Sequence, residues 1–273
     1  MHRFLRGQWT KAEARGFAHP LSVRDRIAVL VGLAGVAGSA WIYLLFDAAR
    51  MHGMAMGDPV AATAMKPWTA LDLSLLFLTW AVMMVAMMLP SVAAAVLTFA
   101  AISQRIAPHR PAARSVVSFV VGYLAVWTGF SLVATGLQWV LDRLVLLSPT
   151  MVASSPVLGG ALLTIAGLYQ LSPLKSACLE HCQNPLAYLA QHWRHGVVGA
   201  LRMGLQHGLY CVGCCWAIMG LLFVGGVMNL LWVAALSMFV LLEKLALAGG
   251  GAGRWFSGLA AVAAGIAMMA MAT

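Results

Sequence analysis

Long apolar runs, almost free of charge, recur along this 273-residue chain. They lie at roughly residues 27–46, 70–102, 112–141, 153–171, 199–226, 228–247 and 254–271. A bilayer core takes about 20 apolar helical residues to cross. Inside it every backbone N–H and C=O must be satisfied within the structure, which leaves helices or closed barrels. One such run alone would suit a buried helix of a soluble domain. So many in one chain do not, and the composition agrees. Apolar residues make up 62% of the chain and charged residues 9%, where soluble domains have about 45–50% and about 25%. The expected fold is all-α: a polytopic transmembrane helix bundle of about seven spans.

Lysine and arginine set the orientation of such a bundle, because they gather on the inner side. With the N-terminus inside, only Arg50, Lys66 and Arg143 of the 17 basic residues face outward. The net charge of +9 therefore reports orientation and contact with anionic lipid. The basic residues are scattered over several inner segments, so no nucleic-acid partner is expected. Residues 1–26 read as a basic cytoplasmic segment. Residues 27–273 read as the transmembrane helical domain, with a Cys/His-bearing inner loop at 172–198. The first 25 residues lack the apolar core of a signal peptide, so the first span is expected to be retained as an anchor.

Several local features predict packing. Pro90 in the second span removes one helical hydrogen bond and frees the Ala86 carbonyl, so a kink is expected there. Gly122, Gly129 and Gly136, seven apart, predict a stripe of close helix contact, as do Gly204 and Gly208. Gly225-Gly226 predicts a tight turn between the fifth and sixth spans. Ser172-Pro173 predicts a helix start, with serine as the cap and proline in the first turn. Asn184-Pro185 predicts its end. Leu186, Leu189 and Trp193 then share one face, as in a helix lying at the inner interface. Glu243 and Lys244 are expected to pair with each other at an inner helix end, and Asp72 to stand at the outer mouth of the second span.

The chemistry is concentrated in five cysteines, which fall in two groups. Cys178, His181 and Cys182 sit three and four residues apart and so share a helix face. His207 precedes Cys211 by one turn, and Cys214 and Cys215 follow in Cys211-Val212-Gly213-Cys214-Cys215. Cysteine also serves as a small apolar residue in cores. Three within five residues, one turn after a histidine and inside an apolar run, point instead to a functional site. Sulfur and imidazole donors suit copper(I), zinc or another thiophilic metal rather than magnesium or calcium. A third candidate is Met51-His52-Gly53-Met54-Ala55-Met56. Thioethers and imidazole there suit copper(I) on an oxidising outer side. Met83, Met84, Met87 and Met88 read as packing residues.

Three segments carry a resemblance. They are Met83-Met84-Val85-Ala86-Met87-Met88-Leu89-Pro90-Ser91, then Tyr169-Gln170-Leu171-Ser172-Pro173-Leu174-Lys175 running into Cys178-Leu179-Glu180-His181-Cys182, and Gly208-Leu209-Tyr210-Cys211-Val212-Gly213-Cys214-Cys215-Trp216. In this order they resemble the hallmark segments of a bacterial domain-of-unknown-function family, described as predicted metal-binding integral membrane proteins. The resemblance covers roughly residues 70–272. It implies a multi-pass protein of the bacterial inner membrane, with the matching Cys and His residues as ligands. It implies no settled activity.

Three classes of function follow. The first is binding, delivery or transport of a soft metal, with copper expected first and zinc as an alternative. The second is a membrane thiol–disulfide oxidoreductase using Cys211 and Cys214. The third is a structural or assembly subunit. No catalytic constellation and no ATP-binding loop are present, so a binding role is expected ahead of an enzymatic one. The expected partners are the lipid bilayer, a second copy of the chain and a small metal-carrier protein.

Overall fold

The computed structural model describes residues 21–57, 68–106, 113–146, 153–245 and 250–272, with the side chains of 51–57 and 250 left aside. Among them the chain is helical: α1 (Val23–Gly57), α2 (Ala70–Ile106), α3 (Ala113–Arg143), α4 (Pro156–Leu171), α5 (Pro173–Gln183), α6 (Pro185–Gln191), α7 (Gly196–Gly220), α8 (Leu222–Gly225), α9 (Leu230–Lys244) and α10 (Gly250–Ala270). Five stretches, 23–50, 70–106, 113–143, 196–225 and 251–270, are long and apolar enough to cross a membrane. The α4–α5 pair, bent by 66°, makes a sixth if counted as one broken span. The run expected at 228–247 holds the 15 residues of α9, about 22 Å of helix, which is shorter than a bilayer core.

The bundle has an apolar core, but it also turns large apolar side chains outward and encloses a few polar and charged ones. Leu231, Phe256, Val133 and Phe46 are more than two-thirds exposed, whereas Lys175, Glu243, Lys244, Gln138, Gln170 and His207 are buried. Exposed apolar surface on this scale is costly in water and suits lipid.

Helix starts follow the sequence. Ser172 Oγ accepts from the Lys175 N–H at 3.2 Å with Pro173 next in line. Asn184 closes α5 and Pro185 opens α6. Asn229 Oδ1 caps α9 through the Trp232 N–H at 3.2 Å. Gly226 adopts φ +92 between α8 and α9, a conformation that needs glycine.

Pro90 lies within α2, which continues through it. The carbonyl it frees does find a donor: Trp41 Nε1 of α1 donates to Ala86 O at 3.2 Å. The same stretch of α2 is further tied to its neighbours at two adjacent carbonyls. Tyr123 Oη donates to Met88 O at 3.2 Å, and Ser237 Oγ to Met87 O at 3.4 Å. The four methionines before Pro90 are buried core residues, as expected.

The glycine stripe behaves differently along its length. A methyl group on Gly122 would strike the Leu201 carbonyl, and one on Gly204 the Phe119 carbonyl, so α3 and α7 touch backbone to backbone there. Gly208 packs on Val126. Gly129 and Gly136 face open space, contrary to expectation. A seven-residue repeat drifts by about 20° per heptad on a straight helix, so a stripe that begins at a contact need not stay on it. A second close pair joins α4 and α10: Gly160 lies on the Gly265 carbonyl and Gly167 on the Gly258 carbonyl.

The segment 172–198 carries the two helices expected of it, and both are packed. The α5 helix turns back against α7. The α6 helix docks on α2 with Leu189 and Tyr188 buried, while Trp193 stacks on Phe99 at 5.3 Å. It is therefore packed against the bundle.

Gly204→Leu should prevent stable folding or lower the melting temperature strongly, since a displaced backbone contact costs about 1–3 kcal/mol or more. Gly129→Leu should leave the melting temperature in detergent nearly unchanged. Equal effects of the two would show that α3 and α7 do not meet at Gly204.

Candidate metal centre

Two consecutive residues of α9 organise the interior. Adjacent helical residues do not share a face, so Glu243 and Lys244 reach different neighbours, not each other as expected. Glu243 Oε2 accepts from Lys175 Nζ at 2.8 Å. Gln170 bridges the pair, accepting from Lys175 Nζ and donating to Glu243 Oε1 and to Ser257 Oγ. Gln183 Nε2, at the far end of α5, donates to the Glu243 backbone carbonyl at 2.8 Å. Both ends of α5 are thus tied to one residue of α9. Lys175 is fully buried, and a charge so placed needs a paired counter-charge with its remaining protons satisfied.

That anchoring sets α5 against α7. Cys178 packs on Gly213, where a methyl group would lie 2.9 Å from its sulfur. The Tyr169 hydroxyl donates to the Gly213 carbonyl. One turn further on, Cys182 Sγ stands 3.9 Å from Cys214 Sγ. Two sulfurs bound to one ion at about 2.3 Å lie about 3.8 Å apart in tetrahedral and about 4.0 Å in trigonal geometry. The pair therefore has the bite of a soft-metal chelate.

On the other side of α9, Lys244 Nζ donates to Cys211 Sγ and to Ser91 Oγ, each at 2.8 Å. Tyr123 Oη lies 3.1 Å from the same sulfur. The thiols of Cys214 and Cys215 donate back to the Cys211 carbonyl at 3.1 and 2.9 Å, as cysteines do on a helix when no other acceptor is offered. The three sequence segments singled out above meet here. Ser91 comes from the first, Cys182 from the second, and Cys211 with Cys214 from the third.

The histidines stand among aromatic rings. His181 stacks on Tyr210 at 4.2 Å and 7°, with Nδ1 2.8 Å from the Ala177 carbonyl. His207 is buried between the rings of Tyr188, Phe119 and Tyr123 at 5.6–6.1 Å. Its Nδ1 has no hydrogen-bond partner among the described residues, which is unusual for a buried polar atom. Burial pushes the Tyr188 phenol up, so it stays protonated near neutral pH. All five cysteines are free thiols, and all but Cys178 are buried. Among the described residues no three His, Cys, Asp or Glu side chains form a ready-made ion cage. What is present is a sulfur pair, a third sulfur held by an ammonium, and one unpartnered imidazole. Met51, His52, Met54 and Met56 fall at the end of α1, and their side chains lie outside the described ones.

Lys244, Ser91, Tyr123 and Gln170 were not singled out as site residues. The sequence signal for Lys244 is its charge in an apolar run.

Fold and site together define an all-helical protein with an apolar exterior and a buried thiol centre. The chain belongs to the PpoB2 family, described as copper chaperones, whose model matches residues 77–268. No curated protein and no solved structure matches it. Membership supports a copper-handling role, and the soft donor set fits that metal.

The buried pair generates a stability prediction. Glu243→Ala should destabilise the protein by about 3–5 kcal/mol, because it strands a buried ammonium. Lys175→Met combined with Glu243→Met should recover much of that loss, read as the melting temperature in detergent. A double variant as unstable as the single one would show that the charges are not coupled.

Proposed function

We propose that this protein is an integral copper chaperone of the bacterial inner membrane, with five or six spans and its N-terminus inside. It takes up copper(I) as cargo on Cys182 and Cys214 and passes it to a partner. Cys211, Cys215, Cys178, His207 and His181 are the further donors along the route. Met51, His52, Met54 and Met56 form an outer landing site. The partner is a small metal-carrier protein or a second copy of the chain.

One observation carries this reading: the 3.9 Å approach of two sulfurs, on different helices, from residues 32 apart in sequence. Thiols that served only as packing would not need to converge across a helix interface. Thiolate pairs bind copper(I) strongly, and exchange between such sites is the means by which a carrier gives up its ion. The oxidoreductase reading is weaker. Disulfide exchange needs a thiolate that an attacking partner can reach, and four of the five thiols are buried.

Protein purified in detergent after loading with copper(I) under reducing conditions should retain metal. Cys182→Ala with Cys214→Ala should lose it while keeping its melting temperature within a few degrees, since the volume change is small. Elemental analysis reads the difference. Copper retained in that double variant would overturn the assignment of the pair.

A further inference from the structure

The first three helices leave a groove between them. The α1 and α3 helices each pack on α2, and the space they flank measures about 950 Å³. Its lining is polar at one end. Asp25 and Gln104 stand there, with Gln104 Nε2 donating to Asp25 Oδ2 at 3.0 Å. Ser22 Oγ donates to the same oxygen at 2.6 Å. From that end the walls are apolar, and the lining stops at Val36 on α1, Leu89 on α2 and Leu124 on α3. Asp25 to Val36 and Ala113 to Leu124 each make about 16 Å of helix. One leaflet of a bilayer core is about 15 Å deep. The groove opens sideways: Val36, Val117 and Val121 on its rim are more than half exposed. Among the described residues that line it, Asp25 is the one that carries a charge. Arg24 and Arg26 flank Asp25 in sequence, and Arg114 follows Ala113 at the start of α3; all three are exposed.

We propose that this groove binds a phospholipid of the surrounding bilayer, one whose headgroup carries a primary ammonium. This rests on the membrane-spanning part of the reading above and not on the copper site. The groove has the polarity of a lipid, with one polar end and one leaflet's depth of apolar wall. An acyl chain fills the wall, but it brings little selectivity, because inside a bilayer apolar surface gives no preference between neighbours. The polar end therefore decides which lipid stays. A carboxylate there is complementary to an ammonium, which offers three donors. The phosphate beside that ammonium falls among the arginines at the helix starts, as basic residues next to membrane helices attract lipid phosphate. A choline headgroup has the charge but no N–H donor, and a glycerol headgroup leaves Asp25 facing a net negative lipid. The groove is also open to a test by filling. A side chain on Gly32, which lines it, would meet nothing within 4 Å. The same holds for Gly35 on the same helix, which lies outside the lining.

The test is native mass spectrometry of the full-length protein in detergent. The protein is first equilibrated with equal amounts of phosphatidylethanolamine, phosphatidylcholine and phosphatidylglycerol that share the same acyl chains. Wild type should retain the ethanolamine lipid over each of the others by about threefold, the scale of one exposed ion pair. Asp25→Asn should level the three. Gly32→Phe should reduce retention of all three, while Gly35→Phe should retain them as wild type does. That contrast separates a filled groove from a general change in α1. If Gly32→Phe does not fold, Asp25→Asn still reads the headgroup preference. Equal retention of the three lipids by wild type, or a preference for the glycerol headgroup, would overturn the proposal. So would a Gly32→Phe variant that holds lipid as well as Gly35→Phe. Recovery of wild type from cells in the soluble fraction without detergent would overturn the membrane reading itself, and this inference with it.

Discussion

Lys175 can place its charge in only one way. Its ammonium is fully enclosed, and its salt bridge runs to Glu243. The sequence distance between them is large, so α9 must come to α5, and α5 must turn back from α4 to meet it. Gln170 and Gln183 fasten the same junction from two further points. The rest of the site depends on this knot. With α5 held at both ends, Cys182 has one position to occupy, and that position faces Cys214. A buried ion pair is weak support for net stability, because desolvation offsets most of its attraction. Its contribution here is to specify geometry.

The remaining helices hold the other half of the centre by contacts of a different kind. The α3 and α7 helices approach until backbone meets backbone at Gly122 and Gly204. In lipid, where apolar surface alone gives no preference between neighbours, close packing of small residues is what joins helices. That contact places Tyr123 beside Cys211. Pro90 leaves a carbonyl for Trp41 to bind, and Ser91, the next residue, reaches Lys244. These two irregularities in the helices thus end at a polar group of the centre or at its support.

The parts legible in the sequence are the local ones. The Ser172-Pro173 start, the Asn184-Pro185 break, the free Ala86 carbonyl and the close contact at Gly204 all follow from rules that act within a few residues. The two cysteine groups were also visible as candidates. What was not legible depends on which helix meets which. Adjacent Glu243 and Lys244 looked like a pair, although their directions on a helix forbid it. Gly129 continued a seven-residue pattern but faces open space. His181 shares a face with Cys178, yet its ring is taken by Tyr210. The span count depended on treating 228–247 as one crossing, where the described helix has 15 residues. The meeting of Cys182 with Cys214 is set by Lys175, whose partner lies 68 residues away.

The central claim is that a cross-helix sulfur pair, assembled by that ion pair, holds the copper. X-ray absorption at the copper edge of the loaded, purified protein tests it most directly. The account predicts a first shell made mainly of sulfur, at a copper(I) edge energy. A shell of nitrogen and oxygen without sulfur would contradict it.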